Sequence, residues 1–78
     1  MKKSEAIYMM KFLSDVSPYY QIVRGNFRYL DAAMEKVNEL KQDETIQNIE
    51  VRKHNDRDIH KVYKWERSGF ETIYLRSA

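Results

Sequence analysis

The sequence predicts one small α+β domain in the order α-β-α-β-β-β, with a mainly antiparallel sheet and its helices packed on one face. Three observations carry that expectation. Apolar residues recur at helical spacing between Tyr29 and Lys41, apolar and polar residues alternate after Ile49, and the single Pro and both Gly fall between such segments. With 78 residues there is room for one core, so residues 1–78 are read as a single domain.

The first element follows from Ser4, a fitting N-cap with Glu5 in the first turn. Ala6, Ile7, Met10 and Leu13 then recur at helical spacing and predict helix one over Ser4 to Leu13. Ser17-Pro18 ends it, because the residue before a proline is pushed out of the α region. Tyr19 to Val23 is aromatic and β-branched and reads as strand one, after which Gly25-Asn26 turns the chain. Leu30, Ala33, Met34, Val37 and Leu40 form one stripe, which predicts amphipathic helix two from Tyr29 to Lys41.

Beyond the polar run Gln42-Asp43-Glu44, Ile49 and Val51 alternate with Glu50 and Arg52 as in a half-buried strand, and Asn55-Asp56-Arg57-Asp58 is a turn cluster. Ile59 to Glu66 and Phe70 to Arg76 supply two more strands. A three-residue loop Arg67-Ser68-Gly69, with Gly69 at positive φ, pairs Tyr63 with Ile73. That register places Tyr63, Trp65, Ile73 and Leu75 against Leu30, Met34, Val37 and Leu40 as the core, so that Asp at Leu30 or Val37 would unfold the domain. His60, Val62, Lys64, Glu66, Phe70, Thr72, Tyr74 and Arg76 take the other face.

Composition narrows the function. Hydrophobic residues at 42% and charged residues at 33% are those of a folded chain, and a domain this small gains about 3–5 kcal/mol from its core unless something staples it. Without Cys the staple is not a disulfide, so self-association is expected, and the lack of thiols fits a reducing, cytoplasmic setting. Neither a membrane span nor the apolar stretch of a signal peptide is legible. The abundance of Lys, Ile, Tyr and Asn is that of a small accessory protein of a low-GC bacterium or its phage. The serines lie in cap, turn or terminal positions and Gly25 stands alone, so neither a nucleophile elbow nor a phosphate cradle is present; no enzymatic activity, cofactor or small-molecule substrate is expected. His54 and His60 flank the turn cluster, where a hairpin could bring them face to face beside Asp56 and Asp58, but they lack a ligand pattern and no metal is expected.

Two binding surfaces remain. On helix one, Tyr8, Met9 and Phe12 extend the apolar arc around most of the circumference, more than a small monomer buries. On helix two, Asp31, Glu35 and Glu39 form an acidic ridge whose like charges oppose one another at i, i+4 spacing. Together they predict an adaptor or inhibitor that binds another protein, or a second copy of itself, through these six residues. The alternative is a nucleic-acid-binding regulator. The net charge is only +2, but Arg52, Lys64 and Arg76 stand among Phe70 and Tyr74 on the outward sheet face, in the manner of platforms where cations hold phosphates and aromatics stack bases.

Overall fold

The computed structural model describes residues 7–54 and 59–74. They form strands β1 (Ile7–Ser14) and β2 (Gln21–Phe27), helix α1 (Leu30–Lys41), and strands β3 (Ile46–His54), β4 (Ile59–Glu66) and β5 (Phe70–Ile73). The sheet is antiparallel throughout, in the order β2-β1-β3-β4-β5. The α+β class therefore holds, with one helix among the described residues and the order β-β-α-β-β-β. The Ser4 cap, the Asn55 to Asp58 turn cluster, Leu75 and Arg76 lie outside the described residues.

The segment expected as helix one is strand β1. It pairs with β2 on one side and β3 on the other, and residues Ile7 to Leu13 form an apolar run broken only by Lys11. A strand inside a sheet can be apolar on both faces, and such a short run has no periodicity that separates it from a buried helix. Pairing on both sides decided the matter. Nor does Gly25-Asn26 turn the chain: β2 continues to Phe27, and the register shift between Tyr8 and Met10 absorbs the irregularity. Gly25, at φ +150°, sits where an added Cβ would lie 3.1 Å from the Phe27 ring. The chain instead reverses over residues 15–20, with Ser17-Pro18 in that connection and the Asp15 N–H donating to the Thr45 carbonyl at 2.8 Å.

β2 and β3 are both antiparallel to β1 and so run parallel to each other with β1 between them. The chain must cross β1 to join them, and α1 is that crossover. The helix accordingly lies over β2, β1 and β3. This corrects the expected core. Ala33 and Val37, both 0% exposed, pack with Met10, Ile49 and Val51, and Tyr63 joins them from β4. Met34, Leu40 and Trp65 pack around this centre, whereas Leu30 and Ile73 are exposed.

The C-terminal hairpin keeps the expected register. Arg67-Ser68-Gly69 is a three-residue loop, Gly69 has φ +127°, and Tyr63 faces Ile73. The face assignment changes at one point, because Val51 pairs with Tyr63 but Arg52 pairs with Lys61, leaving Val62 as an extra residue. This bulge turns Val62 into the core and flips the parity of everything before it. Lys61 joins the outward face and His60 leaves it, pairing with Lys53. The sheet's ends are blunted, at one side by the shortness of β5 and at the other by the irregularity in β2.

A polar cluster closes the helix side over β4 and β5. The Lys41 ammonium lies 5.6 and 5.4 Å from the Tyr63 and Trp65 ring centres and pairs with Glu71 at 2.8 Å, which also accepts from the Tyr63 hydroxyl at 2.5 Å. Both partners draw Glu71 below its ordinary carboxylate value, Lys41 foremost. Burial works to lower the Lys41 value, but its hydrogen bonds and charge interactions with Glu71 and Tyr63 outweigh it and raise it.

Candidate functional site

Among the described residues no element covers the sheet face opposite α1. Cross-strand register builds that face in rows. Ile22, Lys11, Glu50, Lys64 and Thr72 form one row; Met9, Arg52 and Lys61 form the next; Leu13, Asn48, Glu66 and Phe70 lie on the other side. Ile7, His54 and Ile59 complete it at one end.

Glu50 occupies the middle of this array. It accepts from the Arg52 guanidinium, and the Lys64 ammonium lies 3.9 Å away, so that its side chain is only 6% exposed. Burial works to raise its value, but the Arg52 hydrogen bond and the positive field of Arg52, Lys11 and Lys61 outweigh it and hold the carboxyl below its ordinary 4.5. Glu50 is thus an ionised carboxylate enclosed by cations.

This has a consequence for stability. A carboxyl with a lowered folded-state value contributes stability that is fully present above its unfolded value near 4.5 and is lost as pH falls through the folded value. Glu71 acts in the same direction. The urea midpoint is expected to fall steeply below about pH 4, and Glu50→Gln is expected to flatten that acid limb. An unchanged pH profile in Glu50→Gln would show that the Glu50 array adds nothing to folding.

Two aromatic rings on or beside this face sit with its cations. The Lys11 ammonium lies 4.5 Å from the centre of the Tyr20 ring, and Lys61 lies 5.5 Å from that of Tyr74, whose N–H donates to the Val62 carbonyl at 2.9 Å. Phe70 is exposed on the far side. Four cations (Lys11, Arg52, Lys61 and Lys64) stand against the carboxylates Glu50 and Glu66. Glu71 faces the helix side.

Of the residues singled out for nucleic acid, Arg52, Lys64 and Phe70 share this face, Tyr74 joins it through Lys61, and Arg76 lies outside the described residues. Lys11, Tyr20 and Lys61 were missed. Lys11 and Tyr20 sat in segments read as a helix and as the interior of a strand, and Lys61 changes face only through the bulge at Val62. The residues singled out for protein binding divide differently. Tyr8 and Phe12 point to the helix side and pack against the core, while Met9 alone of the three faces outward, so alternation along a strand removes their common surface. Asp31, Glu35 and Glu39 are all exposed along α1, with Lys36 3.4 Å from Glu39. His54 pairs with Ile59 on the outward face and His60 with Lys53 on the helix face, so the two imidazoles do not converge; the described residues hold no cluster of metal-ligating side chains. No helix of the described residues is long and apolar enough to cross a membrane.

No family model, curated protein or solved structure matches the chain.

Proposed function

We propose that the protein is a small non-enzymatic binding module whose open sheet face takes single-stranded nucleic acid. The observation that carries this reading is the convergence of Lys11, Arg52, Lys61 and Lys64 on one face that no element covers among the described residues, with Tyr20, Phe70 and Tyr74 around them. Cations hold phosphates and exposed rings accept bases, and a flat sheet face suits an extended strand better than a duplex, whose bases are already stacked. Glu50 fits this better than acid–base catalysis: a general acid or base at neutral pH needs a raised value, whereas the cations lower that of Glu50.

The test is retention of labelled single-stranded DNA and RNA at about 50 mM salt, followed by a salt titration. Binding is expected to weaken linearly in log salt, and Lys64→Ala is expected to reduce the slope by about one. Absence of retention for both nucleic acids removes this reading. A second reading, capture of a basic protein partner by Asp31, Glu35 and Glu39, is favoured by the exposure of all three carboxylates along α1. It no longer draws on Tyr8 and Phe12.

A further inference from the structure

Beside Glu50 the outward face sinks into a hollow of about 180 Å³, whose lining includes Met9, Met10, Lys11, Ile22, Glu50 and Arg52. Pockets for drug-sized ligands run to roughly 300–1,000 Å³, so this one suits a single flat ring system. Its composition is mixed in a telling way. Met9 and Ile22 offer a thioether and an aliphatic surface, while Lys11 and Arg52 bring positive charge to the same place. A free phosphate has no use for the apolar part, and an apolar peptide side chain has none for the cations. A base joined to its phosphates uses both.

We infer that this hollow receives one unstacked nucleobase, with Met9 and Ile22 against the ring and Lys11 and Arg52 toward the adjoining phosphates. The inference rests on the reading of the outward face as a nucleic-acid interface. Glu50 supports the orientation: an ionised carboxylate lining the hollow repels phosphate from it, so the phosphates stay with the cations and the uncharged base enters. Tyr20, 41% exposed beneath the Lys11 ammonium, offers a second ring beside the hollow for the neighbouring base. Methionine sulfur and methyl groups pack favourably on aromatic rings, which makes Met9 the reporter of this contact.

The experiment compares an oligodeoxythymidylate with an abasic oligomer of the same length, using the full chain labelled with carbon-13 at its methionine methyls. The Met9 methyl is expected to move upfield with the oligodeoxythymidylate and stay in place with the abasic oligomer. Met34, packed against the core under α1, should not move with either. Met9→Ser is expected to lower affinity for the oligodeoxythymidylate about three- to tenfold while leaving that for the abasic oligomer unchanged. If the oligodeoxythymidylate binds and the Met9 methyl does not move, bases go elsewhere and this inference falls while the proposed function stands. If neither oligomer binds, both fall together. Should Met9→Ser fail to fold, the methyl shifts of the unaltered protein decide.

Discussion

Val37→Asp is expected to abolish the cooperative unfolding transition, while Leu30→Asp is expected to melt within a few degrees of the parent protein. Val37 is 0% exposed on the stripe of α1 that meets Met10, Ile49 and Val51, and a carboxylate there would have neither water nor a cation. An unpaired buried charge costs several kcal/mol, which is the whole margin of about 3–5 kcal/mol available to a chain this short. Leu30 belongs to the same stripe but is 38% exposed at the start of the helix, where an acid also meets the positive end of the backbone dipole. Thermal melts by circular dichroism of the two variants check this. Equal loss in both would put the helix over β4 and β5, and equal tolerance would remove it from the core.

The second large effect is expected at Arg67. Its Nε donates to the Ile46 carbonyl at 2.8 Å, and its Nη2 donates to the carbonyls of Lys41 and Asp43 at 3.1 and 3.0 Å. The guanidinium lies 4.9 Å from the centre of the Trp65 ring and reaches across the end of the helix. One side chain thus ties the β4–β5 loop to the last turn of α1 and the start of β3, taking carbonyls that a helix end leaves without partners. Arg67→Ala is expected to cost about 2–3 kcal/mol, as for hydrogen bonds to a charged group with some loss to solvent, and to lower Tm by roughly 10–20 °C in a domain of this size. Arg67→Lys is expected to recover little, since a single ammonium cannot reproduce the planar fork. Recovery of the full melting temperature by Lys would show that only charge mattered there.

The acid limb attributed to Glu50 and the phosphate contacts proposed for Lys64 concern the other side of the sheet, away from Arg67 and Val37. A melt of each outward-face variant at neutral pH, where the Glu50 contribution is fully present, separates binding defects from folding defects.

Local chemistry by itself determined helix α1, the hairpin of β4 and β5, and the loop between them. The stripe from Leu30 to Leu40 has one helical reading, and a glycine three residues after Glu66 selects one loop and with it the pairing of Tyr63 with Ile73. Arg52, Lys64 and Phe70 were legible as one face for the same reason, since alternation along paired strands needs no knowledge of distant contacts. The nature of Ile7 to Ser14 was decided only by tertiary structure. Its apolar residues satisfy a helical wheel and a central strand alike, and β2 and β3 on either side settled the choice. Lys61 reached the outward face through a bulge that no local pattern announces, because the extra residue is defined only against the partner strand. The position of α1 over β1 follows in turn from strand order, since only the placement of β1 between β2 and β3 obliges the helix to cross there, away from the face that no element covers among the described residues.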